Sequence, residues 1–98
     1  MTYTNKQSSF NSSIDNTKIF YQSWTKPNAN RLLVIQHGFG EHSDRYKNII
    51  EKLKDSDFSI YALDSRGHGR SEGIRGHVDQ FQYYIEDLSD LVHIALEE

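Results

Sequence analysis

A glycine-rich segment directly after a short apolar run contains the first residues whose types and spacing could do chemistry. The segment reads His37–Gly38–Phe39–Gly40 and follows Arg31–Gln36, whose residues are mostly apolar. Because glycine permits backbone turns that other residues avoid, the backbone N–H of Phe39 is able to point into a cleft instead of into a sheet. A fixed, desolvated donor of this kind stabilises the negative charge that develops on a carbonyl oxygen during acyl transfer. The segment could therefore supply a backbone donor of the kind that an oxyanion hole needs.

A second polar, glycine-rich segment follows the next apolar run. The run Phe58–Leu63 is followed by Asp64, and four of the six glycines lie within residues 65–77. This composition predicts a long, irregular loop. Ligands in open α/β sheets bind outside the carboxyl ends of the strands, which is where both segments are expected to lie. Arg66 and His68 are interpreted as side chains that lock this loop through hydrogen bonds, rather than as catalytic groups.

Together the two segments resemble the monoacylglycerol lipase and lysophospholipase group of serine hydrolases. That group typically shows HG-x-G-EHS-x-RY and, one helix and one strand later, D-x-RGHG-x-SEG; residues 37–46 and 64–73 carry these patterns in this order. The resemblance covers nearly the whole chain. It implies an α/β-hydrolase fold and a carboxylic-ester hydrolase that forms an acyl-enzyme on a lipid such as a monoacylglycerol or a lysophospholipid.

The resemblance also implies roles for individual residues. The backbone N–H of Phe39 matches the first oxyanion donor, although Phe39 replaces the small residue often found there and is expected to alter the acyl entrance. The residues expected to contact substrate are His37, Gly38, Glu41 and Arg45. Of these, Glu41 and Arg45 match positions near a glycerol head group. A structural loop beneath the active site is expected from Asp64, Arg66, Gly67, His68, Gly69 and Ser71.

Other parts of the catalytic machinery are expected outside this sequence. The G-x-S-x-G elbow that carries the nucleophile is expected beyond residue 98, not within the chain. In the α/β-hydrolase order the serine comes first, then Asp or Glu, then His, so none of the five histidines is expected to belong to the triad. Residues 1–98 are therefore interpreted as the N-terminal segment of a single α/β-hydrolase domain, inactive alone, with the cap domain also further along.

The elements that must position these residues follow an α/β pattern. A hairpin is expected to turn at Asp15–Asn16, with strands at residues 8–13 and 18–24, and two buried strands are expected at residues 31–36 and 58–63. Ser43 is expected to cap a helix whose apolar face contains Tyr46, Ile49, Ile50 and Leu53. Alternation of strands and helices implies parallel strands joined by right-handed crossovers. The sheet is expected to be incomplete, with residues 31–36 as an open edge through which chains self-associate.

The last helix is expected to be long and to face the core. Asp79 and Gln82 form a capping-box pattern at its start. Its apolar stripe comprises Phe81, Tyr84, Ile85, Leu88, Leu91, Val92, Ala95 and Leu96, and His93 falls on the polar side. This stripe is interpreted as core rather than as a membrane or cofactor surface.

Composition excludes several other classes of function. The net charge is −3 and no basic stripe is present, so a nucleic-acid partner is not expected. The chain has no cysteine, which excludes disulfides and thiolate metal sites. No signal peptide or transmembrane run is visible, so a cytoplasmic location is expected, with transient contact to a membrane surface allowed by a lipid substrate. No metal and no cofactor are expected.

Several alternatives remain open at this stage. The first glycine-rich segment also fits an ordinary strand-to-helix turn, or a nucleotide-binding GxGxxS with Asp64 as the ribose-binding acid. A metal site would use His37, His42, His68 and His77, and Glu41 with Arg45 also fits a surface ion pair. For the whole protein, the alternatives are a non-catalytic binding or receptor protein of the same fold, and an esterase or peptidase with a non-lipid substrate.

Overall fold

The fold is a mixed four-stranded sheet with helices on both faces. The computed structural model describes residues 3–27, 29–37 and 46–98. The elements are β1 (Thr4–Asn11), β2 (Lys18–Thr25), β3 (Arg31–Gln36), α1 (Lys47–Lys52), β4 (Phe58–Leu63) and α2 (Phe81–Glu97). The strand order is β1-β2-β4-β3, with β1, β2 and β4 antiparallel and β3 parallel to β4. The predicted order of hairpin, strand, helix, strand, loop and helix is confirmed.

The β1–β2 hairpin turns where the sequence predicts. The N–H of Ser12 donates to the carbonyl of Thr17 at 2.8 Å, and the Asp15 carboxylate accepts the N–H of Thr17 at 3.1 Å. Asn16 has a φ of 62°, a left-handed conformation that asparagine tolerates better than most residues. The full ladder from β1 to β2 runs over eight residue pairs.

Both faces of β4 are covered, which explains its continuous apolar sequence. On one face Tyr61 and Leu63 pack with Leu91 and Ala95 of α2. On the other face the alternate residues of β4 join a second cluster, whose buried members are Trp24, Ile50, Ile60 and Ala62. Ile60 and Ala62 have no exposed surface. The core is thus split into two layers by the sheet.

Strand β3 lies at one edge of the sheet in the described part of the chain. It pairs with β4 from Arg31↔Phe58 to Gln36↔Leu63, and β4 in turn pairs with β2. The four apolar residues of β3 are only partly buried. This position agrees with the expected open edge, and the self-association expected through that edge stays a prediction.

Helix α2 begins without the predicted capping box. Gln80 is the N-cap residue, its backbone is extended, and no side chain caps the helix. Asp79 contacts His77 instead, with 2.9 Å between its carboxylate and Nε2. The capping-box prediction is therefore wrong, because Gln80 and not Asp79 is the N-cap residue, and the Asp79 carboxylate contacts His77 instead of the helix N-terminus. The predicted cap of α1, Ser43, lies outside the described residues.

The apolar stripe of α2 is core only in part. Leu91 and Ala95 are buried, whereas Phe81, Ile85 and Leu96 are 72%, 47% and 69% exposed. The prediction that the whole stripe is core is therefore wrong, because the sheet beneath α2 covers the middle of that face and not its margins. His93 is exposed, as expected. On α1, Ile50 is buried but Ile49 is largely exposed, so that face is narrower than predicted.

Among the described residues, no helix is both long enough and apolar enough to cross a membrane.

Candidate functional site

The carboxyl ends of β3 and β4 are joined by a buried histidine. The backbone N–H of Ser65 donates to Nε2 of His37 at 2.7 Å, and His37 is 5% exposed. Because an N–H only donates, Nε2 is the unprotonated nitrogen and the neutral imidazole carries its proton on Nδ1. The Gln36 side-chain amide donates to the hydroxyl of Ser65. The last residues of the two parallel strands are therefore fixed to each other.

A second buried histidine lies beside the first. Nδ1 of His68 is 3.0 Å from the carbonyl oxygen of Arg66, and since a carbonyl only accepts, this nitrogen carries the proton. The ring centroids of His68 and His37 are 5.4 Å apart, and those of His68 and Tyr84 are 6.5 Å apart with the two rings in an edge arrangement. Two imidazoles and a phenol thus form one continuous wall.

A cavity of about 490 Å³ opens against this wall. Its polar end is formed by Gln36, His37, Ser65 and His68, and its apolar side by Phe81, Tyr84, Ile85 and Leu88 of α2. A concave, mostly apolar space with a few polar groups at one end has the character of a small-molecule site. The exposed apolar residues at the start of α2 therefore belong to the cavity wall.

An ionic cluster with three buried members and one exposed member, Asp15, holds the loop that supplies His68. We call it the Arg66 cluster, and it consists of Ser12, Asp15, Arg66 and Asp87. Arg66 donates to both oxygens of Asp87, at 2.8 and 3.0 Å, and to Asp15 at 2.8 Å. Ser12 donates to Asp87 at 2.6 Å, and Arg66 also donates to Ser12 at 3.1 Å. The cluster joins the β1–β2 turn, the loop and α2.

The charges of the Arg66 cluster stabilise one another. The hydrogen bond from Arg66 lowers the pKa of Asp15 to about 2, from 3.8. The hydrogen bond to Asp87 raises the pKa of Arg66 above its usual value, against the effect of burial. Asp87 is 1% exposed, so it is the most deeply buried charge of the cluster. Sequence reasoning missed Asp87, although its spacing of four residues before Leu91 places it on the buried face of α2.

Asp64 and Ser71 attach the loop to β2. The backbone of Asp64 donates to the carbonyl of Phe20 at 2.9 Å, and its carboxylate accepts the N–H of Arg70 at 2.9 Å. The hydroxyl of Ser71 accepts the N–H of Phe20 at 2.8 Å and donates to the carbonyl of Asp64. The backbone of Glu72 continues this pattern by donating to Lys18. The loop therefore extends the sheet instead of projecting from it.

Glycine is required at two points of the loop. Gly67 has a φ of 74°, and a Cβ on it would lie 2.4 Å from the carbonyl oxygen of Ile74. Its N–H donates to Glu72 and its carbonyl accepts from Gly76, so its backbone cannot shift without breaking both bonds. Gly69 has a φ of 49°, also left-handed. These two positions explain the first two of the three glycines in residues 64–73.

The same loop contains the G-x-S-x-G pattern that is typical of a nucleophile elbow. Gly69–Gly73 reads G-R-S-E-G, so the expectation that this pattern does not occur within the chain is wrong. The expectation of an elbow beyond residue 98 stays a prediction. An elbow, however, puts its serine on a sharp strand-to-helix turn with an exposed Oγ. Ser71 is 2% exposed, its Oγ makes the two hydrogen bonds to β2 and Asp64, and α2 begins only at Phe81. Ser71 has a structural environment, not that of an elbow.

Part of the predicted site lies outside the described residues. This applies to the oxyanion donor Phe39 and to the substrate-contacting residues Gly38, Glu41 and Arg45. The structure brings together the other predicted residues, His37 with His68 and Asp64 with Ser71. Within residues 3–27, 29–37 and 46–98, no three His, Asp or Glu side chains are grouped closely enough to hold a metal ion.

Comparison with known proteins identifies the family. The family model described as serine aminopeptidase, S33, matches residues 27–98. The monoacylglycerol lipase of Mycolicibacterium smegmatis is 37% identical over 83 residues, which cover 84% of this chain and 30% of that protein. The chain thus spans under a third of the length of that relative.

Solved structures agree with this result. A thermostable carboxyl esterase from Bacillus coagulans has a TM-score of 0.77 at 29% identity, over 95% of this chain and 32% of the esterase. The α/β hydrolase GrgF from a Penicillium species has a TM-score of 0.82 at 22% identity, over 97% of this chain and 33% of GrgF, and shows likeness of fold. The chain therefore has an α/β-hydrolase fold and belongs to the serine aminopeptidase S33 family of hydrolases.

Proposed function

We propose that the protein to which this chain belongs hydrolyses carboxylic esters of lipids, such as monoacylglycerols or lysophospholipids, through an acyl-serine intermediate. The observation that carries the proposal is the cavity at the carboxyl ends of β3 and β4, where two buried histidines meet an apolar wall from α2. In this proposal the chain supplies one wall of the active site. The proposed nucleophile is a serine beyond residue 98.

His37 has a positioning role in this proposal. Its Nε2 lone pair already accepts the N–H of Ser65, so it is not available to take a proton from a nucleophile. The bond instead fixes the end of β3 two residues before Phe39. A backbone donor at Phe39 acts only if it is held in place before negative charge develops on the substrate. The buried His37–Ser65 bond supplies that rigidity.

The cavity suggests how a lipid ester is oriented. Phe81, Ile85 and Leu88 offer apolar surface for an acyl chain, while the polar groups at the other end lie beside the β3 terminus. Glu41 and Arg45 follow that terminus in sequence and are proposed to bind the polar head group. The ester carbonyl would then lie between the two, within reach of the backbone donor of Phe39.

The first experiment tests the backbone donor in the full-length protein. Phe39→Pro removes the N–H and should lower kcat by roughly 10²–10³. Phe39→Ala is the matched control, because it keeps the N–H and loses only the side chain, and it should cost much less. Equal losses in both variants, each shown to be folded by circular dichroism, would contradict the oxyanion assignment.

A second experiment tests the class of mechanism. A fluorophosphonate probe should label one serine of the full-length protein and should not label the 98-residue chain. Labelling of Ser71 in the chain would refute the structural interpretation of that serine. No labelling of the folded full-length protein would favour the alternative, a non-catalytic binding protein of the same fold.

The head-group proposal has a separate test. Glu41→Ala should reduce hydrolysis of glycerol esters more than hydrolysis of simple aryl esters, because only the former present hydroxyl groups to bind. A uniform loss on both substrates would instead favour the surface ion pair between Glu41 and Arg45.

A further inference from the structure

Asp87 is placed where an apolar residue would be expected. It lies on the sheet-facing side of α2, four residues before the fully buried Leu91, and is itself 1% exposed. Removing a carboxylate from water costs several kcal/mol unless its partners compensate, and a well-packed apolar residue often stabilises as much as a buried ion pair. Stability alone therefore does not account for a buried aspartate at this position, whereas a role in orienting its hydrogen-bond partners would.

The geometry around Asp87 leaves Arg66 a single orientation. Asp87 accepts Nε and Nη2 of Arg66, at 2.8 and 3.0 Å, and Asp15 accepts Nη1 at 2.8 Å. The face of the guanidinium lies 5.0 Å from the ring centroid of Tyr83. A planar guanidinium with all three nitrogens bonded and one face covered has no alternative rotamer that keeps these contacts.

The backbone of Arg66 leads directly to the histidine wall. Its carbonyl accepts Nδ1–H of His68 at 3.0 Å, and the N–H of His68 donates to Ser65 at 2.9 Å. Ser65 is in turn bonded to Nε2 of His37. The side chain and the carbonyl of Arg66 thus connect Asp87 to His68, and the backbone of Ser65 continues the connection to His37.

We propose that Asp87 is a positioning residue for the candidate site: by fixing Arg66 between α2 and the β1–β2 turn, it sets the orientation and the tautomer of His68 at the polar end of the cavity. Only the catalytic consequence of this inference rests on the proposed function. The orientation of His68 is a property of the chain itself.

The β1–β2 turn takes part through the same contacts. Ser12 donates to Asp87 at 2.6 Å, and Asp15 completes the bonding of Arg66. The turn also has an independent attachment to α2, because the N–H and hydroxyl of Ser13 both donate to Asp90 at 2.9 Å. Asp90 is only partly buried and does not belong to the Arg66 cluster, so it provides a matched control.

The experiment compares Asp87→Asn with Asp90→Asn in the ¹⁵N-labelled protein. Long-range ¹H–¹⁵N spectra report which nitrogen of His68 carries the proton. In the wild type we expect the Nδ1–H tautomer. Asp87→Asn should shift His68 toward a mixture of tautomers and raise amide exchange at His68 by roughly tenfold. Asp90→Asn loses a turn–helix contact of similar geometry and should leave both readouts within about twofold.

Either of two results would overturn the inference: an unchanged His68 tautomer in folded Asp87→Asn, or an equal change in Asp90→Asn. If Asp87→Asn does not fold, Asp15→Asn takes its place, since it removes only the outer carboxylate. It should then shift His68 in the same direction by less, and an unshifted His68 would again overturn the inference.

Catalysis provides the second readout. In a full-length ester hydrolase, Asp87→Asn should lower kcat by roughly tenfold and leave KM within about twofold, because it misplaces the polar end of the site without removing substrate contacts. A full-length protein without esterase activity would contradict the proposed function. The His68 spectra would still decide the role of Asp87, so the two failures are distinguishable.

Discussion

Acidification provides a direct test of the outer ion pair of the Arg66 cluster. The pKa of Asp15 falls from 3.8 to about 2 on folding, chiefly because Arg66 donates hydrogen bonds to its carboxylate. A group with a lowered pKa in the folded state stabilises the protein fully above its unfolded pKa, and that contribution disappears as the pH falls through the folded pKa. The contribution of Asp15 should therefore be complete above about pH 5 and be lost between about pH 4 and pH 2.

The size of the effect follows from the shift and from solvent exposure. A lowering of nearly two pKa units corresponds to about 2.4 kcal/mol at neutral pH. The Asp15 side chain is 39% exposed, whereas that of Arg66 is 7% exposed. Because solvent screens a pair with one exposed partner, we expect the net contribution to be about 1 kcal/mol.

The assay is urea unfolding of the wild type and Asp15→Asn at several pH values from 2 to 7. At pH 6 the variant should be less stable by about 1 kcal/mol, and the difference should shrink toward zero near pH 2. Asp90→Asn serves as the control, because Asp90 contacts the same turn through Ser13. A difference for Asp15→Asn that stays constant over this range, or that grows on acidification, would refute the reasoning.

Three further predictions concern the loop and the core, each measured by urea unfolding. Gly67→Ala should lower the free energy of unfolding by about 3 kcal/mol, because alanine is strained in the left-handed conformation of this residue and its Cβ would clash with the carbonyl oxygen of Ile74. A loss below about 1 kcal/mol would contradict the geometry. Ser71→Ala should cost about 1–2 kcal/mol by leaving the partly buried amide of Phe20 in β2 without its acceptor, and an unchanged midpoint would count against that bond. Ile60→Ala should cost about 3–4 kcal/mol, whereas Phe81→Ala should change stability by less than about 0.5 kcal/mol, and similar losses would contradict their burial.

The strands were predictable from sequence because their signals are local. The continuous apolar runs at residues 31–36 and 58–63 identify two strands that the structure shows side by side. Two motifs after those strands then place His37 and His68 near each other. The alternation of strands and helices along the chain, together with the right-handed crossover rule, suffices to predict this arrangement of strands.

Contacts between distant residues were not predictable in the same way. Asp87 contacts Ser12 across 75 positions of sequence, and periodicity marks only that it lies on a buried face. Similarly, nothing local singles out Glu98, whose carboxylate accepts the hydroxyls of Tyr61 at 2.6 Å and Tyr21 at 3.1 Å. Burial raises the pKa of the Glu98 carboxyl, but hydrogen bonds from these tyrosines and from Lys6 outweigh it and lower the pKa overall.

Sequence patterns considered without their backbone geometry were misleading at two places. The residues of a capping box occur before α2, yet Asp79 pairs with His77. The spacing of a nucleophile elbow occurs around Ser71, yet its hydroxyl is used to hold the loop to β2. Both patterns need a particular backbone geometry to act, and spacing alone does not encode that geometry.

The length of chain that the Arg66 cluster encloses has a consequence for folding kinetics. The β1–β2 hairpin closes over a few residues, so it can form early, whereas the Ser12–Asp87 contact closes a loop of 75 positions. Closing a long loop is entropically unfavourable. The ion pairs of the cluster contribute little stabilisation while their charged groups are still hydrated. The cluster should therefore form after the rate-limiting step, and its loss should accelerate unfolding while leaving the folding rate nearly unchanged. Such a late contact lengthens the lifetime of the folded state.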